Sequence, residues 1–129
     1  MRLKDKVCIV TGATSGIGKR TAEIFADEGA RVVISGRRKA LGEAVAAAIG
    51  RGCAFVEADA TDEAQTKALI DFAVKKYGRI DCLFNNAGGP APQGGIETIP
   101  VDEYDRAFAV NVRSAMLGMK HVAPIMMAQ

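Results

Sequence analysis

The sequence predicts an α/β protein built on a doubly wound parallel sheet. Three observations lead there: short β-branched runs alternate with helical stretches, the runs are apolar almost throughout, and no linker breaks the alternation. A strand with one wet face shows a polar residue at every second position. Unbroken apolar runs instead require burial on both faces, which helices on each side of a parallel sheet provide. Consecutive β-α units joined by right-handed crossovers then give the doubly wound arrangement. Four strands are expected, in the order 3-2-1-4, with helices on both faces.

The strands fall at VCIVT (residues 7–11), RVVIS (31–35), CAFVE (53–57) and IDCLF (80–84). Helices are expected over residues 17–28, 39–49 and 63–77, with a last one running from Val101 nearly to the end. Gly29 and Gly78 stand where left-handed helix caps fall, and Thr61 or Asp62 stands where an N-cap falls. The one long loop, GGPAPQGGIETIP (88–100), follows the fourth strand on the side of the sheet where such folds bind ligands. With no internal boundary, residues 1–129 are expected to form a single domain.

Composition narrows the function classes. The chain is 49% hydrophobic, enough for a core without staples, and its formal net charge of +2 comes from scattered basic residues. That leaves no electrostatic footprint for nucleic acid or an anionic membrane. The apolar run in MRLKDKVCIV is too short for a signal-peptide core or a bilayer span. Cys8, Cys53 and Cys82 fall in predicted strands and read as small core residues, neither a disulfide framework nor a metal site. A reducing, cytoplasmic setting is expected. His121 reads as a packed or surface residue rather than a base, and Met116, Met119, Met126 and Met127 as an apolar helix face.

The stretch VTGATSGIGKR (10–20) leaves the first strand and enters the first helix. Such a turn aims backbone N–H groups and a helix N-terminus at one spot, which suits phosphate. Gly12 allows a tight turn, Gly16 lets a pyrophosphate approach the backbone, and Gly18 lets the helix pack closely on the sheet. A purely structural turn is the alternative. A P-loop is excluded, because Ala13 stands where it needs glycine and Arg20 where it needs Ser or Thr.

Four features taken together are more specific. They are Thr11-Gly12-Ala13-Thr14-Ser15-Gly16-Ile17-Gly18, Asp59 after the third strand, Asn85-Asn86-Ala87-Gly88 after the fourth, and Asn111 within Val110-Asn111-Val112. In order and spacing the chain resembles the short-chain dehydrogenase/reductase family over its whole length. The resemblance implies a Rossmann-like domain that binds a nicotinamide dinucleotide. It implies that Ser15 and Ile17 contact the cofactor phosphates and that Asp59 accepts a hydrogen bond from the adenine amino group. It places Asn86, Ala87 and Gly88 along the adenosine ribose, adds Thr14 and Ala60 to the cofactor site, and has Thr11 tie the two loops together. Asp59 as a plain loop or capping carboxylate, and Asn85 and Asn86 as plain turn residues, stay open as alternatives.

After the second strand comes Ser35-Gly36-Arg37-Arg38. An NAD site places a carboxylate there to bond both ribose hydroxyls. Gly36 at that position removes the bond and also the repulsion toward a 2′-phosphate, and the planar fork of Arg37 suits that phosphate. Arg38 either supports it or faces solvent. NADP is therefore expected in preference to NAD.

The family's proton relay is expected to comprise a Ser, a Tyr-x-x-x-Lys pair and the Asn matched by Asn111. Tyr77 is followed four places on by Asp81 and Tyr104 by Phe108, so neither tyrosine has the lysine that would lower its pKa. By resemblance the missing members follow a fifth strand beyond Gln129, and Asn111 is the one member of the relay present. The expectation is the cofactor-binding part of an NADP-dependent enzyme acting on an alcohol or ketone, truncated before its catalytic groups and inactive alone. The alternatives are a stand-alone dinucleotide-binding module, a subunit completed by a partner chain, or a half-fold kept as a structural unit. An uncovered IDCLF strand would favour edge-strand association, and the family resemblance implies a homo-oligomer. The residues that would select a substrate are not among these segments.

Overall fold

The computed structural model describes all 129 residues. Four parallel strands, β1 (Val7–Val10), β2 (Arg31–Gly36), β3 (Ala54–Glu57) and β4 (Cys82–Phe84), lie in the order β3-β2-β1-β4. This is the 3-2-1-4 order expected. Helices α1 (Gly16–Asp27), α2 (Lys39–Ile49) and α3 (Glu63–Tyr77) connect successive strands. A short 3-10 turn (Ile96–Thr98) leads into α4 (Val101–Phe108), a π turn (Ala109–Arg113) and α5 (Ser114–Ala128).

Alternate residues of each central strand feed opposite cores. Cys8, Val10, Val32 and Ile34 pack with Ala22 and Ala26 of α1 and Val45 and Ala46 of α2. Ile9 and Val33 pack with Leu69, Ile70 and Ala73 of α3 and Val122 of α5. Both faces of the sheet are thus covered, which explains the absence of polar alternation in the sequence.

Local chemistry sets the element ends. Asp62 is the N-cap of α3, its Oδ1 accepting from Gln65 N at 2.9 Å, and Gly78 ends that helix at φ +78°. Glu63 in the first turn and Lys75 and Lys76 in the last complement the helix dipole. The third strand starts one residue later than expected. Gly50, Arg51 and Gly52 all have positive φ and hold the chain in a turn up to Cys53. The fourth covers only Cys82–Phe84 of IDCLF, and Ile80 before it is tied to the end of α5, its N–H donating to Gln129 Oε1 at 2.9 Å.

All three cysteines are free; Cys8 is buried, Cys53 and Cys82 half-buried. Burial pushes the Cys8 thiol up to about 12 and the Cys53 thiol up to about 11, so both stay neutral. The methionines of the last helix divide: Met126 packs against the core on the α3 side, while Met116, Met119 and Met127 are exposed, as are Val101, Tyr104, Phe108 and Val112 before them. No helix is long and apolar enough to cross a membrane.

Candidate functional site

The carboxyl ends of the strands open into one cleft of about 1090 Å³. Gly12, Thr14 and Ser15 line it after β1, and Gly36, Arg37 and Arg38 after β2. Asp59 and Ala60 line it after β3, and Ala87 and Gly88 after β4. Gly16, Ile17 and Gly18 open the adjoining helix α1. Asn86 and Asn111 stand behind the walls and are bonded to them.

The three glycines of the first loop differ in their surroundings. Gly12 turns at φ +61°, and a Cβ there would meet Ala87 Cα at 2.9 Å. At Gly18 a Cβ would meet Gly12 O at 2.5 Å and press on the Asn86 amide, so only glycine lets α1 pass under the loop. Gly16, at φ +57°, faces open space with nothing within 4 Å. The helix behind it starts uncapped: Ser15 makes no side-chain cap bond, and the first turn of α1 holds no acidic residue. Its leading N–H groups are therefore free for an outside acceptor, and a phosphate fits that position in charge and geometry. Ile17, 74% exposed, leaves the approach clear on that side.

A positive corner flanks this opening. Arg37 and Arg38 precede Lys39 at the start of α2, whose first turn also lacks an acid. Arg38 is anchored: its Nη2 donates to Thr14 Oγ1 at 2.9 Å and to Ser15 Oγ at 3.4 Å. Gly36 beside them has no room for a side chain, because a Cβ would meet Thr14 Cγ2 at 2.6 Å.

Asp59 serves its own turn through one oxygen. Oδ1 accepts from Thr61 N at 2.9 Å and from Thr61 Oγ1 at 2.8 Å. Those bonds, with a smaller pull from the Arg37 charge, hold its carboxyl below the usual range. Oδ2 is left without a protein donor.

Thr11 joins the two loops. Its Oγ1 donates to Phe84 O (3.3 Å) and accepts from both Asn86 N and Ala87 N (3.1 Å each). Asn86 returns the link through Nδ2, which donates to Thr11 O (3.1 Å) and Gly12 O (3.0 Å). Asn111, in the π turn, holds the loop after β4: its Oδ1 accepts from Gly89 N at 3.1 Å, and its Nδ2 donates to Gly89 O at 3.0 Å.

Several of these links had no local signal in the sequence. The bonds Asn111–Gly89, Arg38–Thr14 and Arg113 Nε to Thr61 O (3.3 Å) span 22 to 52 residues. Glu103 and Arg106 of α4 also reach the cleft. The tyrosines do not: Tyr77 Oη donates to Gly52 O (3.1 Å), and Tyr104 stacks on Phe108 at 4.8 Å. His121 pairs with Glu63 Oε1 at 3.0 Å, tying α5 to α3. No three His, Cys, Asp or Glu side chains gather as metal ligands.

A doubly wound sheet whose first helix presents an uncapped, glycine-lined N-terminus at the strand ends defines the class of dinucleotide-binding folds. The chain belongs to the short-chain dehydrogenase family, whose model, described as short chain dehydrogenase, matches residues 6–129. It is 44% identical over 128 residues to short-chain dehydrogenase reductase 5 of Arabidopsis thaliana, covering 98% of this chain and 49% of that protein. It is 40% identical over 131 residues to tropinone reductase-like 2 of Erythroxylum coca, covering 99% and 48%. Among solved structures it is similar to the 3-ketoacyl-(acyl-carrier-protein) reductase of Brucella melitensis, which was crystallised with NADH. There the TM-score is 0.91 at 41% identity, over 95% of this chain and 50% of that one. The chain spans about half the length of the relatives it matches.

Proposed function

We propose that this chain is the NADP(H)-binding part of a short-chain dehydrogenase/reductase, and that the complete protein transfers hydride between NADP(H) and an alcohol or ketone. The observation that carries the cofactor reading is the uncapped start of α1 beside Arg37 and Arg38, at a place where Gly36 excludes a carboxylate.

When bound, the nicotinamide gives or takes the hydride; the chain's own residues bind and orient. The N–H groups of Gly16, Ile17 and Gly18, with Ser15 Oγ, hold the pyrophosphate. Asp59, ionised and with Oδ2 free, accepts from the adenine amino group, and Ala60 lies beside it. Ala87 and Gly88 line the ribose, at a position set by Thr11 and Asn86. Arg37 and Arg38 take the 2′-phosphate, with Thr14 keeping Arg38 over the loop. Asn111 positions the Gly88–Gly89 segment and, in the complete enzyme, holds a water in the proton relay. A homo-oligomer is also proposed for the complete protein, on its membership of the family.

The Brucella relative holds NADH, so cofactor choice is the point to test. Calorimetric titration with NADPH and with NADH should show NADPH binding more tightly by about tenfold or more, the scale of one charge-assisted hydrogen bond. Arg37→Ala with Arg38→Ala should erase that difference, lowering NADPH affinity much more than NADH affinity. Equal affinities in the parent protein would overturn the NADP reading; binding of neither would overturn the dinucleotide reading as well.

A further inference from the structure

Under the cleft, between the sheet and helices α3 and α5, lies a second and much smaller cavity. Most of its inner surface is apolar, from residues such as Leu69, Ile70 and Leu83; its polar groups come from Thr11 at the end of β1, Ser35 of β2, Thr66 of α3, Asn85 after β4 and Ser114 of α5. The centre of a water-sized sphere has about 10 Å³ in which to move. That is room for a single water and for no larger ligand.

Thr66 is 6% exposed, and its Oγ1 is the one fully buried side-chain polar atom in the molecule with no hydrogen-bond partner. A helical hydroxyl ordinarily returns to the carbonyl four residues back. Ser114 does so, donating to Val110 O at 2.6 Å. At Thr66 the corresponding carbonyl, Asp62 O, receives only the backbone N–H (3.0 Å), and the hydroxyl is left over at the cavity wall. Native interiors leave few such groups unpaired, and a small cavity that offers a water two or more polar partners can supply the missing one.

We propose that this cavity is a built site for one buried water. Thr66 Oγ1 holds it, with the Ser114 oxygen and the Asn85 amide as further partners. Ser114 Oγ has spent its proton on Val110 and is free to accept. Asn85 Oδ1 lies against Gly118, another wall residue, where any Cβ would strike it. The water links α3, α5 and the end of β4 at the residue just before Asn86. It is therefore a positioning element beneath the Thr11–Asn86 junction. This site is independent of which cofactor the cleft takes.

The test is a high-resolution crystal structure of the full-length protein, paired with the thermal midpoints of Thr66→Val and Thr66→Ser. The structure should show one ordered water within hydrogen-bond distance of Thr66 Oγ1, retained in Thr66→Ser. In a hydrated cavity, Thr66→Val takes a partner from the water and lowers the midpoint by roughly 2–4 °C. In a dry cavity the same change removes an unpaired hydroxyl and raises it. A cavity without density, or a midpoint that rises, overturns the proposal.

Discussion

Asn111 and Gly89 exchange two hydrogen bonds, Gly89 N to Oδ1 at 3.1 Å and Nδ2 to Gly89 O at 3.0 Å. The side-chain amide thus serves Gly89 as a neighbouring strand would, by giving it both a donor and an acceptor. A third bond, Nδ2 to Ala107 O at 2.9 Å, fixes the amide against its own helix. The loop after β4 is consequently held to the π turn between α4 and α5 at the rim of the cleft. Gly88 completes the contact, since a Cβ there would meet Asn111 Oδ1 at 2.9 Å.

Asn111→Ala should release this rim. The amide is exposed, so the loss should be modest, about 1 kcal/mol by urea unfolding. The local effect should be larger: amide exchange at Gly89 should accelerate while that of β1 and β2 stays the same. Unchanged protection at Gly89 would show that other contacts hold the loop.

Thr11→Val should cost more than its size suggests. The hydroxyl accepts from two backbone N–H groups and is 8% exposed, so valine leaves Asn86 N and Ala87 N without their acceptor. A loss of about 2 kcal/mol is expected, with Thr11→Ser staying within about 1 kcal/mol of the parent. Chemical denaturation of the three proteins measures this, and equal stability of the valine and serine variants would remove Thr11 from its joining role.

The sheet was legible because its evidence is local. Apolar runs such as VCIV and RVVIS, and breaks at Gly29 and Gly78, need no knowledge of distant residues. Asp62 as a cap is legible for the same reason. What could not be read is geometry made by chain closure. Arg37 and Arg38 look alike in sequence, and only the approach of the first loop brings Arg38 to Thr14. Asn111 carries no sign that its partner is Gly89 or that it sits in a π turn, because no residue type marks such a turn. The methionines follow helical spacing faithfully, yet spacing identifies a face without saying whether it looks inward.

Gly16→Ala and Gly18→Ala should separate binding from folding. At Gly18 the new Cβ would meet Gly12 O at 2.5 Å, and backbone cannot move aside cheaply. Overpacking of that kind costs about 1–3 kcal/mol and should lower the thermal midpoint. At Gly16 nothing lies within 4 Å, and the positive φ alone costs about 1 kcal/mol. Its methyl group would instead stand in the proposed phosphate position, so dinucleotide affinity should fall by about tenfold or more with little loss of stability. Affinity that survives Gly16→Ala would place the phosphate elsewhere.

Asp81 should govern much of the acid limb of stability. Its side chain is 13% exposed and sits at the base of the sheet, where Oδ2 accepts from Val7 N at 2.9 Å and from Arg79 Nε at 3.0 Å. The Arg79 hydrogen bond first, then the Val7 amide and the charges of Arg79 and Lys6, hold the carboxyl below the usual range against the opposing effect of burial. The folded protein thus binds this proton less readily than the unfolded chain, whose aspartates titrate near about 3.9. The stabilisation is complete above that value and is lost as pH falls through the lower folded pKa. Asp81→Asn should be less stable than the parent at neutral pH, with the gap closing as acid protonates Asp81 in the parent. Glu28, Asp59 and Glu63 are also held low and decline alike in both proteins, so the difference between the two curves isolates Asp81. Urea midpoints from neutral pH down past the carboxylate range measure it. A gap that stays constant into acid would mean that the charge of Asp81 contributes nothing and that its hydrogen-bonding shape alone matters.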